Sequence, residues 1–145
     1  MPLLNYTTKV ASGRMAAEIS KDLLKLPGVR GIATEYENGR HTGLTFAIVS
    51  HGETFHYSLP VRIDAVRDVL VRQRVEKRYQ TAEHAESVAW RILRDWVRAQ
   101  VAIIETEMVT LQQVMLPYMR TPNGDTVFER WQISRALPAD SETSV

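Results

Sequence analysis

The stretch that most limits the fold is residues 82–109, which reads as one long helix behind a Thr81 cap. Projected at about 100° per residue, Ala85, Val88, Ala89, Ile92, Trp96, Ala99 and Ile103 form one apolar stripe. Trp90, Leu93, Val97, Val101, Ile104, Met108 and Leu111 form a second, centred about 120° away. Together they span roughly 200°, about twice the face a surface helix buries. Such a helix is either the central strut of the fold or is covered on one side by another copy of the chain. The heptad-like spacing of Ala85, Ala89, Ile92, Trp96, Ala99 and Ile103, with small alanines that permit close approach, favours the second alternative. The expectation is a homo-oligomer with Trp90, Leu93, Val97, Gln100, Val101, Ile104 and Met108 as the candidate seam. Gln100 and Glu107 fall inside the apolar arc. Either a seam supplies the partners that buried polar groups need, or both open to solvent.

The rest of the chain supplies short elements around this helix. Asn5–Val10 is rich in β-favouring residues and predicts a first strand. Ser12 predicts an N-cap for a helix over 13–26 with Met15, Ile19, Leu23 and Leu24 on its apolar face, stopped by Leu26-Pro27-Gly28. Three alternating runs follow, over 31–37, 43–50 and 54–59, joined by the turn pairs Asn38-Gly39 and His51-Gly52. The first sets Ile32, Thr34 and Tyr36 on one side, the second Leu44, Phe46 and Ile48, the third Phe55, Tyr57 and Leu59. Pro60 ends the sheet, and Ile63, Val66, Val69 and Leu70 stripe a helix over 62–74. Thr110 predicts a cap for a short helix halted by Pro117. Residues 122–125 read as a turn, and Thr126–Ile133 as a strand or short helix that docks back on the fold. The fold class is therefore α+β, a small antiparallel meander of three or four strands packed with an N-terminal helix and one long helix in the C-terminal half. Residues 1–135 form a single domain, and 136–145 read as a flexible polar tail.

Charge and missing chemistry narrow the function. The net charge of +1 hides a gradient: residues 61–98 carry nine basic and six acidic side chains, and residues 99–145 three and six. Exposed cations in that middle third, Arg72, Arg74, Lys77 and Arg78 with Arg91, Arg94 and Arg98, are the candidate partner-binding residues. Arginine grips phosphates through planar paired donors. The alternative for the last three is a solvated helix face with local ion pairs to Asp95. Absence of cysteine from 145 residues removes disulfides, thiolate metal sites and thiol nucleophiles. His41, His51, His56 and His84 have no metal-ligand spacing, and no phosphate-loop, dinucleotide or nucleophile-elbow motif is present. The expectation is no metal, no cofactor and no catalysis. No apolar run reaches the ~20 residues of a membrane span, and residues 1–5 are not a signal peptide, which predicts a soluble intracellular protein.

Two stretches carry a family resemblance. Pro2-Leu-Leu-Asn-Tyr-Thr-Thr-Lys-Val10, and more specifically Trp90-Arg-Ile-Leu-Arg-Asp-Trp-Val-Arg-Ala-Gln100 continuing to Tyr118, resemble an uncharacterised family of short phage and prophage proteins. Leu59-Pro60 fits the same pattern. The resemblance implies a mobile-element gene acting in the bacterial cytoplasm, and it carries over no catalytic or binding residue. The order of helix, three antiparallel strands and helix also resembles double-stranded-RNA-binding domains, but residues 60–67 lack the lysine cluster with which those grip phosphates.

These readings lead to a non-enzymatic accessory protein that binds a host or viral macromolecule, protein or nucleic acid, through its basic helical surface. One rival is an anti-defence sponge that traps a nucleotide signal between protomers, using Trp90, Trp96, Tyr79 and Arg94. The other is a purely structural oligomer.

Overall fold

Residues 29–60 alternate apolar and polar side chains because they form a sheet with one buried face. In the computed structural model, which describes residues 1–136, β1 (Val29–Glu37), β2 (Arg40–Ser50) and β3 (Glu53–Pro60) make an antiparallel meander in the order β1-β2-β3. Leu44 faces Leu59, Phe46 faces Tyr57 and Ile48 faces Phe55, so one face is a continuous apolar floor. Phe46 and Tyr57 stack with ring centroids 5.2 Å apart. Both hairpins use left-handed turn residues, Asn38-Gly39 and His51-Gly52, whose twist matches that of the strands. The β1–β2 register shifts twice: β1 carries an extra residue between Arg30 and Ala33, and β2 carries one at Thr42. Tyr36, near the end of β1, meets the His41 ring edge-on at 4.5 Å and is 65% exposed.

Helix α1 (Ser12–Leu23) lays Met15, Ile19 and Leu23 on this floor. Burying each such side chain is worth roughly 2–3 kcal/mol. The cap differs from the sequence expectation: Ala11 takes the N-cap position, and the Ser12 hydroxyl lies 2.9 Å from His41 Nδ1 instead. Leu24 lies past the helix and is exposed. Gly28 then passes so close to β2 that a Cβ there would sit 2.6 Å from the Val49 carbonyl oxygen, at a φ of +85°.

The predicted first strand does not form. Asn5 turns left-handed, Tyr6 and Thr8 N–H groups donate back to Leu3 and Asn5 carbonyls, and the segment lies on a helix. β-propensity reports fit to a pleated neighbour, and no strand is in reach of residues 5–10. The fourth position of the sheet belongs to Met119, which bridges Tyr57, while the Arg120 N–H donates to the His56 carbonyl at 2.7 Å.

Helix α2 (Ile63–Arg72) and helix α3 (Ala82–Glu105) follow, and α3 is the central strut. α1 and the sheet cover one side of it, and α2 the other. Those neighbours cover most of the wide apolar arc inside a single protomer and leave Ile92, Leu93 and Trp96 only partly buried. Of the candidate seam, Trp90, Val97 and Val101 are buried in the protomer's own core, and Leu93 and Ile104 pack against it half-buried. The Trp90 indole N–H donates to the His41 carbonyl at 2.9 Å. Gln100 is half-buried. The helix stops at Glu105, short of the predicted 109, because Thr106 caps it and Glu107 turns left-handed with φ 65°. Met108 therefore leaves the helix and is 70% exposed, and Glu107 is solvated rather than inside an arc.

Thr110 and Gln113 form a capping box on α4 (Leu111–Met115). A 3-10 turn, Leu116–Tyr118, leads past Met119 to α5 (Val127–Ala136). This last element is a helix that does not dock back as expected: Phe128, Trp131 and Ile133 are about half exposed. The polar tail, after its first residue, lies outside the described residues.

Candidate functional site

The basic residues divide into two groups with different roles. Arg91 lies 3.8 Å from Asp95, Arg94 lies 3.1 Å from Asp95 and 3.6 Å from Glu18, and Arg98 donates to Asp22 at 3.0 Å. Asp22 is 3% exposed and also faces Lys25 at 3.5 Å. The hydrogen bond to Asp22 raises the Arg98 pKa above its already high ordinary value. Arg94 and Arg98 thus clasp α1 to α3, while Arg91 pairs within α3, and none of the three belongs to one cationic surface with the others.

Arg72, Arg74, Lys77 and Arg78 are a different matter. All four are exposed on the connection between α2 and α3. α2 ends with the Arg74 N–H donating to the Val71 carbonyl and the Val75 N–H to Leu70, the paired bonds of a Schellman motif. Such a motif needs a left-handed residue, usually glycine, and here Arg74 fills it with φ 56°. A 3-10 turn over Lys77–Tyr79 follows. Tyr79 is wedged edge-on against Tyr6 at 5.6 Å, and the Arg78 guanidinium covers its outer face at 4.7 Å while meeting Glu76 at 3.0 Å. Among the described residues, Arg72, Arg74 and Lys77 join no ion pair. The sequence reading missed one neighbour. Lys9, taken for part of a strand, lines a polar hollow of about 300 Å³ with Thr8, Arg78, Tyr79 and His84. Glu83 also lines it. Thr81 caps α3 beside it, accepting from the His84 N–H, so the positive end of the helix dipole adds to the local field.

A second surface feature follows from element lengths. α2 has 10 residues and α3 has 24, about 15 Å against 36 Å, so α2 cannot cover its neighbour. The mismatch leaves an apolar cleft of about 440 Å³. Ala65, Val66 and Val69 form one wall, Ile92, Leu93 and Trp96 the other, and Leu59 and Tyr118 close the end. Tyr118 meets Trp96 edge-to-face at 5.9 Å. Arg62 is the charged residue at its rim.

Within one protomer the four residues of the sponge reading do not line a common pocket. Trp90 is buried, Arg94 is held by Asp95 and Glu18, and Trp96 sits in the apolar cleft. Tyr79 packs beside His84, about 18 Å along α3 from Trp96.

His41 has chemically suggestive neighbours, arranged for structure. Ser12 Oγ and Glu86 Oε2 approach the same ring nitrogen, Nδ1, at 2.9 and 4.0 Å. A relay needs the acid and the nucleophile on opposite nitrogens. Glu86 is 8% exposed and spends its carboxylate on the His41 backbone N–H at 2.7 Å and on Arg40 at 3.2 Å. Among the described residues no group of three or more histidine, aspartate or glutamate side chains is placed to hold a metal, and no helix is long and apolar enough to cross a membrane. No protein-family model, curated protein or solved structure matches this chain significantly.

Proposed function

We propose that this protein is a non-catalytic binding protein that holds the phosphate backbone of a nucleic acid against the connection between α2 and α3. The observation that carries the reading is the division among the cations: Arg91, Arg94 and Arg98 are engaged by carboxylates of α1 and α3, whereas Arg72, Arg74 and Lys77 stand exposed beside Arg78 and join no ion pair among the described residues. Three of these four are arginines, whose paired donors match phosphate oxygens. Arg74 also occupies a backbone position that glycine would fill at lower cost, as strained residues at working surfaces do. The likeness of residues 2–10 and 90–100 to short phage and prophage proteins supports an accessory role in viral or host DNA metabolism.

The ledge is small, and its size sets the expected binding. Four contacts to duplex phosphates give a slope of log affinity against log salt near −4, roughly a hundredfold loss between 50 and 200 mM salt. Fluorescence anisotropy with a labelled DNA duplex measures it. Arg72→Glu with Lys77→Glu should abolish binding and leave the circular dichroism spectrum unchanged. No binding at low salt, binding indifferent to the two reversals, or binding of polyglutamate in preference to DNA each overturns the reading.

A further inference from the structure

We infer that residues 3–9 are a strap that completes the basic ledge: Tyr6 pins the α2–α3 connection, and the same segment sets Lys9 into the hollow lined by Arg78 as a fifth phosphate contact. The role of Lys9 rests on the nucleic-acid reading, and the pinning does not. Neither segment has a core of its own, since no residue of 3–9 or of 73–80 is buried. Segments without buried side chains open first unless something braces them. These two brace one another. The Leu3 N–H donates to Gln73 Oε1 at 2.7 Å, between Arg72 and Arg74 in the sequence. The Tyr6 ring meets Tyr79 edge-on at 5.6 Å, and the His84 ring donates to the Tyr6 carbonyl. Asn5, left-handed at φ 61°, ties the strap to α3 by donating to Asp95 Oδ2 at 2.8 Å. The connection has two side-chain ties besides these: Arg67 Nε donates to the Gln80 carbonyl at 2.8 Å, and the Gln80 amide to the Val75 carbonyl at 2.7 Å.

The strap leads to the ledge. Farther along the same segment, Lys9 lines the hollow that Arg78 and Tyr79 also line. Lys9 is exposed and, among the described residues, joins no ion pair. Glu83 lines the hollow too, so two cations face one carboxylate and the balance is positive. A phosphate held by Arg78 therefore meets Lys9 as well while Tyr6 keeps the strap seated. A segment docked in advance also spares the ordering cost that a loose one meets on binding.

Amide hydrogen exchange, followed by NMR, reads the strap without any ligand. The Val75, Tyr79 and Gln80 N–H groups are hydrogen-bonded at the end of α2 and within the connection. In Tyr6→Ala they should exchange about tenfold faster, the size of one lost aromatic pair, while the amides of α1 and β2 keep their rates. Tyr6→Phe keeps the ring and should restore the wild-type rates. If Tyr6→Ala does not fold, Gln73→Ala at an exposed position frees the Leu3 end and should speed the same amides. Unchanged rates in the connection, or an equal rise throughout the chain, overturn the strap. Fluorescence anisotropy with a labelled DNA duplex reads Lys9. Lys9→Ala should make log affinity against log salt shallower by about 0.9, the share of one phosphate. Tyr6→Ala removes no charge, yet should flatten the slope by as much, and the double variant by no more than either alone. A slope that either variant leaves unchanged, in a protein that binds DNA, overturns the fifth contact. A wild type that binds no DNA removes the nucleic-acid reading and the role of Lys9 with it, and the exchange rates then decide the strap alone.

Discussion

Arg74 carries the sharpest conflict between stability and use. Its φ of 56° belongs to a region that costs a side-chain-bearing residue roughly 1–2 kcal/mol. Glycine removes that cost. Arg74→Gly should therefore raise unfolding stability by about 1 kcal/mol in urea titrations and weaken DNA binding several-fold. A variant that is no more stable, or that binds as tightly as the wild type, would contradict the assignment of this residue. In the sequence Arg74 and Arg94 look alike, both being arginines of a basic middle third. The difference lies in distant partners, since Arg98 and Asp22 meet although 76 positions apart. Charge counting cannot see such pairs, so the ledge was legible as a region and its membership was not. Lys9 was hidden for a related reason. Its segment has strand-like composition, but the sheet has no place for it.

At the scale of elements, the ion pairs between α1 and α3 do more for the fold than the exposed cations do. Arg98 neutralises the buried Asp22, and removing a charged hydrogen-bond partner from a buried group costs about 1.5–3 kcal/mol. Arg98 is itself half exposed and Lys25 remains nearby, which lowers the figure to about 1–2 kcal/mol. Arg98→Ala should lower the urea midpoint accordingly, whereas Arg72→Ala should leave it within about 0.5 kcal/mol. Equal effects from both would mean that the clasp adds nothing. The elements themselves were largely readable. Alternation gave all three strands, turn pairs gave both hairpins, and Thr81 and Thr110 gave two helix starts. The covering of α3 was not readable. Periodicity measures how wide a buried arc is and leaves open whether α1, α2 or another chain lies on it.

For the whole molecule, what matters is which surfaces remain open to a neighbour. β3 is shielded along its outer edge by Met119 and Arg120, and Arg120 also reaches Ser58 at 2.9 Å and Glu35 at 3.5 Å across the polar outer face. β1, at the other edge, is interrupted by a bulge after Arg30 and carries Arg30, Glu35 and Glu37. Ending the chain at Tyr118 should strip the β3 edge and produce light scattering on warm incubation, where the full chain stays clear. Adding His56→Lys to the shortened chain should suppress that scattering if the bare edge is its cause. Scattering that persists with the lysine would point to general destabilisation instead. A strand that adds to this sheet must displace Met119 from β3 or pair across the bulge and the charges of β1.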